Sequence, residues 1–406
     1  MLALRLTRSA HPAVQLRRLL VATASAATGF LLLSTLGHAL AHPEASAGSA
    51  LRLAWCALPL AATVHLAVAV ARTDPGTRPR PGLAAIGLGP ARLMAVSATT
   101  TALSTLLGSM LSLLLFLHLR GDLTGMPFDG AATDFLAADH PLPLPAALTL
   151  LSLVPAAAST AVALSLRPRD ARPAAGRPTR PASLGPAPAD SSQDTPEELP
   201  DPPHLPEPTA LPWGAALLAT GLAVEGYASR TATDATTPLP SGLPTAPTAV
   251  LLGWTLTAIG LALAGPGLTH LCGRLLQAVR PGALRLLAGR GLMEEASRIG
   301  RPLGVLCAVA SGAYTISALY DPADPSSGPL TTLGAAVVAG CTVATLLTAA
   351  VEARQARADT TAALLRLGAP SRTLRTAAAM RTGALLTLFV PLTLVVAELA
   401  AIPLAR

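Results

Sequence analysis

Nine stretches of 18 to 27 mostly apolar residues follow one another along the chain, near 19–40, 51–71, 93–119, 145–166, 211–228, 249–271, 303–320, 330–351 and 376–402. A helix needs about 20 such residues to cross roughly 30 Å of hydrocarbon. The pattern therefore predicts an all-α integral membrane protein of about nine transmembrane helices. The fifth stretch is short and ends in Glu225 and Tyr227, which makes it the weakest of the set. The first has an apolar core too long for a signal peptide and lacks an A-x-A cleavage site, so it is expected to remain as a span.

The polar positions between these stretches alternate in character. Arginines crowd the N-terminal stretch, the 72–92 loop, the 167–210 segment, the 272–302 loop and the 352–375 loop, which together hold 24 of the 29 basic residues. The intervening loops carry Glu44, Asp122, Asp129, Asp134, Asp139, Asp234, Asp321 and Asp324 instead. Positive residues stay on the cytoplasmic side, so nine spans place the N-terminus inside and the tail after Ile402 outside. Segment 167–210, rich in Pro with Ala, Gly and Ser, buries little apolar area and reads as a disordered, locally extended cytoplasmic linker.

The order of elements repeats. Ala3-Leu4-Arg5-Leu6 returns as Ala283-Leu284-Arg285-Leu286, 280 residues on. Leu88-Gly89, followed by Arg92, returns as Leu367-Gly368, followed by Arg372, 279 residues on. Adding 280 to spans 51–71 and 93–119 lands on the spans at 330–351 and 376–402. The expected organisation is a first unit of four spans (1–166), the linker (167–210), a central helix pair (211–271) and a second unit of three spans (272–406). Each unit would open with a basic amphipathic helix leading into its first span, and the second copy lacks a counterpart of span 145–166.

The stretch from Val351 through Arg354 and Arg357 to Leu364-Leu365-Arg366-Leu367-Gly368-Ala369-Pro370-Ser371-Arg372 resembles the FtsX-like (MacB-type) permease family of ABC transporters. A weaker copy runs over Leu83, Ile86, Leu88, Gly89 and Arg92. The resemblance implies that these residues form two coupling elements that seat in cytoplasmic ATP-binding subunits, two per permease. The residues themselves fit a short amphipathic helix: its leucines face membrane or partner, Gly368 ends it in a left-handed conformation, and Ser371 caps the next helix. An interfacial helix that only anchors the loop in anionic lipid is the alternative reading of the same residues. Family members carry a large extracytoplasmic domain after the first span of a unit, whereas here those positions hold about ten residues (41–50) and eight (321–328).

Composition narrows the chemistry. Mean hydropathy is +0.53 and only 13% of residues are charged, against roughly 25% in soluble domains. Every basic residue is Arg and none is Lys, which excludes a P-loop and Schiff-base catalysis. Cys56, Cys272, Cys307 and Cys341 stand singly in apolar surroundings, so they predict neither a metal site nor a disulfide framework. No catalytic constellation or cofactor site is expected. Of the ionisable residues in spans, His65 is central while His38, Glu225 and Glu398 lie nearer the outer ends. Gly304, Ala308 and Gly312, with Ala336 and Gly340, predict close packing between the seventh and eighth spans. The Lys-free, Ala/Arg/Pro-rich composition points to a bacterial plasma membrane with membrane lipid as surroundings and no nucleic-acid partner. The functional expectation is an ABC transporter permease subunit, more an exporter than an importer. A non-transporting protein that relays ATPase motion is the alternative.

Overall fold

A computed structural model describes residues 12–74, 90–123, 130–133, 136–167, 210–228, 230, 236–237, 246–278, 282–319, 328–368 and 370–402. The described chain is helices and the turns between them, with a two-residue antiparallel pair in which Thr236 faces Pro247 and Thr237 faces Ala246. The helices are α1 (Pro12–Ala41), α2 (Ser46–Trp55), α3 (Ala57–Thr73), α4 (Pro90–Arg120), α5 (Leu144–Ser165), α6 (Leu211–Ala228), α7 (Thr248–Ala278), α8 (Ala283–Leu319), α9 (Pro329–Ala356), α10 (Ala358–Arg366) and α11 (Ser371–Ala401). The second predicted span is thus two helices, α2 and α3, jointed at Cys56. Residues 168–209 of the expected 167–210 linker and the N-terminal residues 1–11 lie outside the described residues.

Eight of these helical segments are long and apolar enough to cross a membrane, so the chain is a multi-pass helical membrane protein. The fifth predicted span, α6, forms a helix with the predicted bounds but is not among those eight; it carries Glu225 and Tyr227 near its end. Several helices also outrun the predicted spans. The 272–302 segment is largely helical, since α7 runs on to Ala278 and α8 begins at Ala283. The basic helix expected to lead into the second unit is therefore continuous with its span. At 37 residues, α8 is about 55 Å long at 1.5 Å per residue, well beyond the hydrocarbon thickness.

Between lipid tails and leucines there is no solvophobic gain, so helix association has to come from close backbone approach and polar contacts. The most buried helix, α7, shows both. Gly214 of α6 lies where an added Cβ would meet the Ala264 backbone nitrogen at 2.5 Å, and Gly260 would meet that of Leu218 at 2.5 Å. Further along, Glu225 lies against Gly253, so α6 runs antiparallel to α7 at matched depth. On the opposite side Gly265 packs on the carbonyl of Gly300, and Gly304 on that of Leu261. Pro266, which has no N–H to offer, sits against Gly300 in this seam.

The glycine seam corrects one sequence expectation. Gly304 faces α7 and not α9, while Cβ atoms at Gly312 and Gly340 would meet nothing within 4 Å. The spacing was that of a packing stripe, but the partner was a helix from the central pair.

Hydroxyls tie other helices together. Ser25 of α1 donates to the Thr105 carbonyl of α4 (2.8 Å) and Ser109 of α4 to the Leu151 carbonyl of α5 (3.2 Å). Thr315 of α8 donates to the Ala397 carbonyl of α11 at 3.2 Å. Thr28 of α1 and Thr63 of α3 bond hydroxyl to hydroxyl at 2.9 Å. Each such bond is worth roughly 0.6 kcal/mol in a bilayer, and several act on one bundle. Helices α3 and α9 pack in parallel: Cys56 and Leu60 meet Leu330 and Leu333, and further along Leu66 and Ala67 cluster with Val337 and Cys341.

At the end of the bundle where α1 finishes, Leu136 of the 120–144 connection is buried with Leu33, Phe116, Ala147 and Leu151. Arg120, also buried, donates to the carbonyls of Ala138 and His140. The described residues of this connection, the largest expected outside, fold onto α1, α4 and α5.

Replacing Gly300 with Val forces α7 and α8 apart and is expected to destabilise the detergent-solubilised protein by about 1–3 kcal/mol. Gly340→Val, which enters open space, leaves the unfolding transition unchanged; thermal melts of the two variants beside wild type decide it.

Candidate functional site

The parallel course of α3 and α9 brings their C-terminal ends, Thr73 and Ala356, to the same end of the bundle. The start of the 72–92 loop and the 352–375 segment therefore leave from one face. Of the first predicted coupling element, Leu83, Ile86, Leu88 and Gly89 lie outside the described residues, while Arg92 lies exposed in the first turn of α4.

The second element is described almost completely. After Ala356 the chain turns at Arg357 and forms α10, a nine-residue amphipathic helix. Leu367 follows, then Gly368 at φ +86°, in the left-handed region that an L side chain resists. Pro370 is extended (φ −66°, ψ 135°) and Ser371 opens α11. Ser371 itself begins the helix and makes no side-chain cap, so the expected capping role falls away. A short amphipathic helix does form here, and Gly368 follows it in the left-handed conformation expected. Its packing is against the end of α9, and its apolar residues stay uncovered: Leu365 is 47% and Leu367 84% exposed, with Leu364 half-buried. Arg354, Arg366 and Arg372 are exposed as well.

Arg357 is different. Its guanidinium turns inward to an ion pair with Glu295, in the polar first half of α8, and its Nε donates to the Ala353 carbonyl at 3.1 Å. Glu295 is only 6% exposed. Arg381 of α11 passes over Gly291, where there is no Cβ to block it, and brings Nη1 within 3.9 Å of the same carboxylate. One buried acid thus holds two guanidiniums from the two ends of the α10 segment. This explains how an arginine is tolerated ten residues into α11, where an unpaired charge would be costly. Neither Glu295 nor Arg381 was picked out by sequence reasoning. The available signal was the acidic pair Glu294-Glu295 inside an otherwise Arg-rich stretch.

At the same end, Arg18 of α1 donates to Asp74 just past α3 at 2.7 Å. Elsewhere the ionisable residues of the spans fall into place without converging. Glu225 is buried (1% exposed) in the α6–α7 seam and accepts from the Thr257 hydroxyl at 3.0 Å. Glu398 is exposed and accepts from the Tyr314 hydroxyl at 2.8 Å. His65 lies on the outside of the bundle, and His38 stacks on His42 with ring centres 4.3 Å apart.

No family model matches the chain, and neither a curated protein nor a solved structure matches it. The class that the fold defines is a multi-pass helical membrane protein.

Removing the acid by Glu295→Ala strands Arg381, which is 14% exposed, without its counter-charge, and frees Arg357. The expected cost is about 1–3 kcal/mol, less than for a fully buried pair because Arg357 is partly solvated. Limited proteolysis should then cut faster between Arg354 and Arg372 than in wild type, whereas Glu294→Ala should leave the cleavage pattern as it is.

Proposed function

We propose that the chain is the membrane-spanning permease subunit of an ABC transporter, working as an exporter in a bacterial plasma membrane and driven by separate ATP-binding subunits. The observation that carries this reading is α10. It is a short amphipathic helix joined through tight turns to two spans, with Leu365 and Leu367 uncovered and its base latched to α8 through Arg357 and Glu295. A helix so connected passes a push from a partner directly into α9 and α11. A lipid anchor alone would not need that latch.

The internal duplication supports the reading further. The first and third spans of each unit pack together, α1 on α4 and α8 on α11, and the second spans α3 and α9 pack on each other across the halves. In this reading α6 crosses as a ninth span, since it accompanies α7 at matched depth and since an inside linker must otherwise meet an outside loop. The arginine-rich end, with Arg18, Arg92, Arg354 and Arg372, is then cytoplasmic, as is the N-terminus. Leu83, Ile86, Leu88 and Gly89 would supply the second seat, giving two ATP-binding subunits per permease. The chain contributes no ATP-binding lysine of its own, so hydrolysis belongs to the partner.

Co-expression with an ATP-binding subunit, should one be encoded beside its gene, provides the test. The subunit should co-purify, and the permease should change its hydrolysis rate. The double substitution Leu365→Asp/Leu367→Asp should lower co-purification by about tenfold, as expected when two apolar contacts of an interface core are lost, with the melting transition unchanged. Retained ATPase coupling without vectorial export from intact cells would favour the motion-relaying alternative. An ATPase that neither binds nor responds removes the reading altogether.

A further inference from the structure

The end of α1 carries two imidazoles that neither the packing nor the proposed function uses. His38 and His42 stand at i and i+4, and the backbone N–H of His42 donates to the His38 carbonyl at 3.1 Å. Helical geometry thus carries through to His42, and both rings lie on one face. They stack with centres 4.3 Å apart and planes inclined by 27°. Nδ1 of His42 also lies 3.2 Å from the His38 carbonyl. A carbonyl only accepts, so Nδ1 carries the proton, and Nε2 of the neutral ring keeps its lone pair. One ring nitrogen held by a backbone carbonyl while the other stays free is how metal-ligating histidines are supported. His42 is exposed and His38 half-buried, so solutes reach the pair at the end of the bundle away from the arginine-rich face.

We propose that His38 and His42 together bind one borderline divalent transition-metal ion, of the Cu²⁺, Ni²⁺ or Zn²⁺ kind, through one nitrogen of each ring. Metal–nitrogen bonds of this kind require the two nitrogens to stand about 3–3.5 Å apart, which a tilt of the exposed His42 ring achieves without moving the backbone. Imidazole suits these ions, whereas Mg²⁺ and Ca²⁺ prefer oxygen. Among the described residues no third His, Cys, Asp or Glu completes a larger set, so water fills the remaining positions. The surrounding charge acts both ways. The C-terminal end of α1 is the negative end of its dipole and favours a cation, while Arg52 of α2 lies within electrostatic reach of His38 and opposes one. A bound ion fastens the last turn of α1 to the residue from which the chain turns towards α2. The proposal rests on the end of α1 and not on the transport reading, and its test needs no ATP-binding subunit.

Full-length protein in mild detergent, free of any histidine tag, is titrated with Cu²⁺, Ni²⁺ and Zn²⁺ by calorimetry. One ion should bind per chain, Cu²⁺ most tightly, with no competition from Mg²⁺ or Ca²⁺. His38→Ala and His42→Ala should each weaken Cu²⁺ binding by about tenfold or more, since losing even a ligand's supporting partner costs a metal site that much. His42→Asn offers the same carbonyl an amide N–H, so it should keep the ion-free melting transition and still lose the site, which separates ligation from packing. Arg52→Gln should tighten binding by removing the opposing charge. His140→Ala, at an exposed histidine of the 120–144 connection, should leave binding unchanged. Electron paramagnetic resonance of the Cu²⁺ complex should show two imidazole nitrogens. Binding that survives both alanine substitutions, or that falls with only one of them, overturns the proposal, as does a titration in which no ion binds.

Discussion

What holds this molecule together is the distance of closest approach between helices. In a bilayer an exposed leucine loses nothing, so the many lipid-facing leucines and valines of α4 and α11 contribute solubility in the membrane and little cohesion. Cohesion falls to places where side chains are absent. The α6–α7 and α7–α8 seams put backbone on backbone through glycines, gaining dispersion contacts that bulkier pairs cannot reach. Helix α7 is consequently buried on two sides and serves as the post against which α6 and the polar half of α8 are set. Glu225 can be buried there because Gly253 leaves room for its side chain and Thr257 supplies a donor.

The charged end of the bundle follows a second rule. Arg354, Arg366 and Arg372 there are exposed to the surroundings. Charges that penetrate are matched, as Arg357 and Arg381 are by Glu295 and Arg18 by Asp74. Exposed cations are what an anionic surface or an acidic partner meets. The matched ones fix how helices enter the membrane: Glu295 holds α8 to both helices flanking α10, and Asp74 holds the end of α3 to α1.

Much of this was legible from periodic apolarity. The bounds of α5 and α6 agree with the sequence expectation to within a residue, because Pro and polar residues flank them. The turn at Gly368 was readable because only a residue without Cβ is comfortable at φ +86°. What could not be read was depth and facing. Apolar runs say where a helix meets lipid but not where it stops, so α8 was expected to be about half its length. The spacing of Gly304 and Gly312 marked a face, but nothing local says which neighbour it meets. Glu295 and Arg381 are 86 positions apart, and their pairing exists only once α8 and α11 are packed.

Helix α9 has a different neighbour at each end. Its membrane portion lies along α3, and its far end carries α10 and the turn pinned to α8. A straight rod of 28 residues is about 42 Å long, so rocking by roughly 5° about its middle moves each tip by only ~2 Å. That is less than half a helical turn at the tip, yet α3 and α8 must accommodate it on opposite sides at once. Helices α3 and α8 are thereby geared: neither can tilt at the α9 seam without the other yielding.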